Sequence, residues 1–85
     1  MYQVVKRDGK VTEFDISKIS VAITKAFEAC EKEYHPSVID LLALKVTSEF
    51  SSKIKDGKIA VEDIQDAVES VLVQAGYADV AKSYI

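Results

Sequence analysis

Glycine is scarce in this chain, with three residues among 85. Phosphate loops of the G-x-x-x-x-G-K-[ST] and G-x-G-x-x-G types need closely spaced glycines, and neither motif can be written with Gly9, Gly57 and Gly76. The sequence therefore excludes both common glycine-rich phosphate loops. An anion site in this chain would have to use side-chain cations and helix amides.

Cysteine and histidine occur once each, as Cys30 and His35. A single cysteine forms no internal disulfide, which fits a reducing compartment, and its place on an apolar helical stripe predicts a buried thiol rather than a reactive one. His35 has no second histidine or cysteine at ligand spacing, which argues against a bound metal. Nothing in the sequence supports catalysis, since there is no Ser/His/Asp arrangement and no thiol with a base beside it. We expect a binding module.

The chain also lacks a basic excess and a long apolar run. Its formal net charge of −3 argues against nucleic acid or a membrane surface as partner. Lys6 and Arg7 come too early for a signal peptide, so the expected location is the cytoplasm. The length predicts one small domain, residues 1–85. Because no terminator signal follows Tyr84, we expect an excised N-terminal module.

The stretch from Val4 to Ile19, VVKRDGKVTEFDISKI, organises the rest of the chain. Asp8-Gly9 predicts a β-hairpin with a type I′ turn between strands over residues 1–6 and 10–14. Arg7 would then face Lys10 across the turn, where like charges cost free energy unless an anion lies nearby. From the residues alone, both a solvated hairpin tip and an anion site remain open.

A helix should begin directly after this hairpin. Asp15 is a good N-cap, and Phe14 and Ile19 have the spacing of a hydrophobic staple. Lys18 falls in the first turn, where a cation opposes the helix dipole. A bound anion would offset that conflict, and conflicts between local rules often mark function.

The remaining elements predict an α+β fold: an N-terminal β-hairpin plus a short third strand, covered by about four helices. Apolar periodicity predicts helices over residues 16–30, 37–53, 61–74 and 78–85. Residues 58–60 form the short extended segment. Ser37 and Asp40 have capping-box spacing at the start of the second helix, and Gly57 follows that helix as its cap.

The motif V-x-K-R-D-G-x(5)-D-x-x-K-I, read from Val4 to Ile19, resembles the start of the ATP-cone family. This family is the nucleotide-sensing module at the N-terminus of many ribonucleotide reductases. The resemblance continues through KIAVEDIQDAVESVL and GYADVAKSYI, so it covers nearly the whole chain. Many members have Glu where this chain has Thr12, and some have Thr and His at Val61 and Gln65.

The resemblance implies a nucleotide site between the hairpin, the start of the first helix and the third helix. The phosphates would be bound by three cations, Lys6, Arg7 and Lys18. The adenine would lie among four apolar side chains, Val4, Phe14, Ile19 and Ile64. Asp15 would be the polar group at the edge of the base, in competition with its capping role, and Gln65 would lie near the ribose or phosphate.

The family implies an allosteric regulatory domain that binds ATP or dATP and controls the overall activity of a ribonucleotide reductase, in deoxyribonucleotide synthesis. ATP would keep the enzyme active and dATP would stop it through changes in subunit association. The nucleotide would carry Mg²⁺, with no metal bound by the protein. The partners would be the catalytic domain of the same large or anaerobic subunit and the other reductase subunits.

Three alternatives compete with this interpretation. The same module occurs in a transcriptional repressor of reductase genes, where a zinc-binding segment would precede Met1. A protein-interaction domain that has lost nucleotide binding is the second. A small nucleic-acid binder using Lys6, Arg7 and Lys10 is the third, which the net charge disfavours.

Overall fold

Three short strands and four α-helices form the fold in the computed structural model, which describes residues 2–84. In chain order they are β1 (Gln3–Val5), β2 (Val11–Glu13), α1 (Ile16–Ala29), α2 (Pro36–Phe50), β3 (Lys58–Ala60), α3 (Val61–Gln74) and α4 (Ala78–Tyr84). A single 3₁₀ turn, Ser51–Lys53, follows α2 directly. The predicted α+β architecture is confirmed. The predicted strand at Met1 and the helix end at Ile85 lie outside the described residues.

The sheet has the order β2-β1-β3, with β1 antiparallel to β2 and parallel to β3. Val4, in the middle of β1, lies between Thr12 and Ile59. Val4 and Ile59 are both buried, so the sheet rests on the core through the centre of β1 and β3. The expectation that residues 58–60 pair with the hairpin as a third strand is confirmed.

The hairpin turn differs from the predicted type I′ geometry. Gly9 has a φ of 85°, whereas Asp8 does not have a positive φ. The amide of Gly9 donates to the carbonyl of Lys6 at 2.9 Å, and the amide of Lys6 donates to the carbonyl of Lys10 at 2.8 Å. These bonds define a three-residue loop with glycine in the left-handed position.

A side-chain hydrogen bond of Asp8 stabilises this turn and determines which residues face each other across it. The Asp8 carboxylate accepts from the amide of Lys10 at 3.0 Å, a local turn that aspartate forms readily. Lys6 therefore faces Lys10, and the predicted pairing of Arg7 with Lys10 is wrong. Arg7 at the tip is left to reach another element.

Asp15 begins α1 as predicted, because its carboxylate Oδ1 accepts from the amide of Ser17 at 2.9 Å and from the Ser17 hydroxyl at 2.6 Å. The start of α2 differs from the prediction. His35, and not Ser37, is the N-cap, and its Nδ1 accepts from the amide of Ser37 at 3.1 Å. Proline at the first helical position holds the preceding residue in extended geometry, which makes His35 the capping residue.

The core lies between the sheet and the helices. Its largest fully buried side chains come from all four helices and from β3, and they include Phe27, Phe50, Ile59, Leu72 and Val80. Among residues 2–84, no charged side chain is buried. In the same range, no helix has both the length and the apolar character needed to cross a bilayer.

Candidate functional site

A cleft of about 240 Å³ opens between the hairpin, the start of α1 and the start of α3, and the end of α4 closes one side. It is lined by Val4, Lys6, Thr12, Glu13, Phe14, Asp15, Lys18, Ile19, Ala22, Val61, Ile64, Gln65 and Tyr84. All the residues predicted for the nucleotide site, except Arg7, therefore lie around one cleft. Their roles in binding stay a prediction.

The apolar part of the cleft is the edge of the core. Val4, Ile19 and Ile64 retain 8%, 6% and 8% of their surface, and they are the most exposed members of the core cluster. Phe14 is half-buried, with its ring 4.6 Å from that of Tyr2 and 5.7 Å from that of Phe50. These aromatic contacts fix the ring of Phe14. The core thus presents an apolar wall that is already formed.

The cations of the site fall into two groups. Lys6 and Lys18 line the cleft, and within residues 2–84 neither forms an ion pair. Arg7 lies outside the lining and reaches α3 instead. Its Nη2 donates to Oε1 of Gln65 at 2.6 Å, and its Nε lies 3.3 Å from Oε2 of Glu62. Gln65 lines the cleft, so Arg7 stands at the rim.

Asp15 can act as a cap and as a ligand at the same time. The hydrogen bonds from the Ser17 hydroxyl and amide both end on Oδ1, and within the described residues Oδ2 accepts no hydrogen bond. The same bonds hold the pKa of Asp15 below its usual value. The group is therefore an ionised acceptor at neutral pH. The cap uses Oδ1, and the predicted role of Asp15 at the edge of the base stays a prediction.

Sequence reasoning missed Tyr84 as a lining residue. Burial raises the pKa of its hydroxyl, so Tyr84 stays neutral at physiological pH and can donate a hydrogen bond. In the sequence, the only indication that Tyr84 lines the cleft was its place on the apolar face of the last predicted helix. Thr12, a departure from the family pattern, lines the cleft, and so does the next residue, Glu13. Glu13 also accepts from Nε2 of Gln3 at 3.3 Å.

A larger and more open groove, of about 440 Å³, lies between α1 and the start of α2. Lys25 is the cation in its lining, and Glu28 and Asp40 are the acids there. This charge pattern is unsuited to a polyanion. The smaller cleft also has two acids, Glu13 and Asp15, but it balances them with two lysines that form no ion pair within residues 2–84, and it has an apolar wall. It is therefore the better candidate.

Comparison with known proteins identifies the family. The sequence matches the ATP cone domain over residues 2–85, which is nearly the whole chain. The chain belongs to the ATP-cone family, as its motifs predicted.

The relatives are ribonucleotide reductases. Over 96% of this chain, it is 39% identical to the ribonucleoside-diphosphate reductase subunit alpha of Chlamydia pneumoniae, covering 8% of that protein. It is 40% identical over 98% of its length to the vitamin B12-dependent ribonucleoside-diphosphate reductase of Thermoplasma acidophilum, covering 11%. With the anaerobic ribonucleoside-triphosphate reductase of Haemophilus influenzae it shares 35% identity over 99% of its length, covering 12%.

The chain thus spans about a tenth of the length of these reductases, between 8% and 12%. An ATP cone of this size is the regulatory module of such enzymes and not their catalytic part. Among the residues that the structure describes, no group of three or more His, Cys, Asp or Glu side chains is placed to hold a metal ion.

Proposed function

We propose that this domain binds ATP and dATP in the cleft between the hairpin, α1 and α3, and that it controls the overall activity of a ribonucleotide reductase. One observation carries the proposal. Residues far apart in sequence, from Val4 to Gln65, line one cleft that combines apolar side chains with two lysines, neither of which forms an ion pair within residues 2–84. Such a combination suits a ligand with a flat apolar base and a charged tail.

The base would lie against Phe14, between Ile19 and Ile64. Adenine carries an exocyclic amine that donates hydrogen bonds, and Oδ2 of Asp15 is an ionised acceptor at the cleft with no partner in the described residues. This pairing would orient the base. Gln65 would then lie near the ribose or the first phosphate.

The phosphates would extend to Lys6 and Lys18. The cleft, at about 240 Å³, is smaller than typical ligand pockets of about 300–1,000 Å³, so the triphosphate would lie at its mouth with Mg²⁺ bound to the phosphates. Charge-assisted contacts from two lysines would stabilise it there. Arg7 at the rim would be the third cation.

The regulatory step would be a change in subunit association. ATP would favour the active assembly and dATP the inactive one, with the catalytic domain and the other reductase subunits as partners in the cytoplasm. A coupling free energy of about 1–3 kcal/mol between nucleotide and assembly is typical of allosteric proteins and would be sufficient.

Calorimetric titration with ATP and with dATP tests the binding. We expect heat from both nucleotides, with no ADP formed on prolonged incubation. Two hydroxyls lie beside a base, Ser17 at 2.6 Å from Asp15 Oδ1 and Ser37 at 2.7 Å from His35 Nδ1, and both pairs belong to the caps of helices α1 and α2. A protein that gives no binding heat at millimolar nucleotide would be an interaction domain instead. ADP production that persists through purification would contradict a purely regulatory role.

A further inference from the structure

Arg7 is the predicted phosphate ligand that the structure does not bring into the cleft. Two of its three guanidinium nitrogens contact α3: Nε faces Glu62 at 3.3 Å, and Nη2 donates to Gln65 at 2.6 Å. These two nitrogens form one edge of the planar fork. That edge is one through which arginine binds carboxylates and phosphates with two parallel hydrogen bonds.

Glu62 suits this arrangement for a second reason. It lies in the first turn of α3, where the helix dipole favours an acid. Its neighbour Asp63 lies 3.9 Å from Lys53, so Glu62 is the acid of this turn that faces the hairpin tip. Arg7 lies in the hairpin turn and Glu62 in the first turn of α3, so the packing of these two elements brings the side chains together beside the cleft.

The Arg7–Glu62 pair is open to solvent, with 70% and 52% of the two side chains exposed. Exposed ion pairs are weak and exchange partners readily, since water screens them and both side chains lose freedom in forming them. A phosphate group carries more charge than a carboxylate. It can therefore replace Glu62 at the guanidinium, although the exchange lowers the net gain from the new contact.

We propose that Glu62 sets the nucleotide affinity of this domain, because its carboxylate occupies Arg7 in the free protein and competes with the nucleotide phosphates for the guanidinium. The inference rests on the proposed nucleotide binding. It assigns to Glu62, which does not line the cleft, an opposing role in the same site. Removing its charge should strengthen binding, whereas removing a ligand weakens it.

The test is calorimetric titration of ATP and dATP into the wild type, Glu62→Gln, Arg7→Ala and the double variant. Glutamine keeps the size of the side chain and removes the charge. We expect Glu62→Gln to bind both nucleotides about two- to fivefold more tightly, the range of an exposed ion pair. In the Arg7→Ala background the same change should give no gain, since the competition needs both partners.

Asp66→Asn is the matched control, because Asp66 lies one turn further along α3, is exposed and has no ion pair with Arg7. Nucleotide affinity could instead rise because any negative charge near the cleft is removed. An equal rise in affinity for Asp66→Asn, or a rise from Glu62→Gln that persists in the Arg7→Ala background, would show this and overturn the inference. Unchanged or weaker binding in Glu62→Gln would overturn it as well. The wild-type titration separately reports the proposed function, and melting temperatures confirm that each variant is folded.

Discussion

Replacing Lys18 with alanine should move stability and binding in opposite directions. Lys18 is the third residue of α1 after the Asp15 cap, and the first turn of α1 has no acidic residue. Its ammonium group opposes the positive end of the helix dipole, and within residues 2–84 it forms no ion pair. Its attraction to the Asp15 carboxylate is the smallest of the causes that lower the pKa of Asp15, and water screens such exposed charges. The folded domain therefore gains little from this charge.

The size of each effect follows from the surroundings of Lys18. Loss of an unfavourable charge in the first turn should raise the free energy of unfolding by about 0.3–1 kcal/mol. Alanine also has the highest helix propensity, which acts in the same direction. A lost charge-assisted contact to a phosphate should cost about 1.5–3 kcal/mol of binding free energy, which corresponds to about 10- to 150-fold weaker binding of ATP and dATP.

The assay pairs a thermal melt without ligand with a calorimetric titration of each nucleotide. Lys25→Ala is the matched control: Lys25 lies on the same helix, is exposed, and lines the other groove. It should leave nucleotide affinity unchanged. A Lys18→Ala protein that melts lower and binds normally would refute the reasoning, and the phosphate contacts would then belong to Lys6 and Arg7.

Two further predictions follow from the described contacts. Phe14→Ala should lower the free energy of unfolding by about 2–3 kcal/mol and weaken nucleotide binding. This loss is smaller than the about 3–5 kcal/mol of a fully buried phenylalanine, because Phe14 is half-buried. An unchanged melting temperature would show that its contacts with Tyr2 and Phe50 contribute nothing to stability. The hydrogen bond from Lys32 lowers the pKa of Asp79, so the pair stabilises the fold above the ordinary carboxyl pKa and this contribution disappears as the pH falls through the lowered value. Asp79→Asn should therefore melt with a flatter pH dependence below about pH 4, and an unaltered acid slope would contradict the pairing.

Features with local causes could be predicted from the sequence. The Asp15 cap needs only its own carboxylate and the two groups of Ser17, and α3 was predicted at its observed bounds because its apolar period is regular. The sheet was predictable for a similar reason, since Asp8-Gly9 joins two β-branched runs. The cleft followed from the family motif, which already relates the hairpin, α1 and α3.

Features that depend on competition between neighbours could not be predicted. His35 caps α2 because Pro36 fixes the backbone before it, and the sequence offered Ser37 as an equally good cap. Arg7 contacts Gln65, 58 residues away, and no local rule selects that partner over Lys10 or solvent. Tyr84 reaches the cleft only because α4 folds back along α1 and α3.

The two helix starts at the cleft obey opposite rules, and this difference bears on function. The first turn of α3 carries Glu62 and Asp63, as the helix dipole favours, whereas the first turn of α1 carries Lys18 and no acid. Within the described residues Lys18 forms no ion pair, and its attraction to the Asp15 carboxylate is the smallest of the effects on the pKa of Asp15, so the helix dipole leaves its charge unfavourable. An anionic ligand between hairpin and α1 would account for that cation, since it would turn an unfavourable charge into a contact. A bound anion would then explain both the unfavourable charge and the cleft. Lys18→Ala tests this explanation, because it should raise the free energy of unfolding and weaken nucleotide binding.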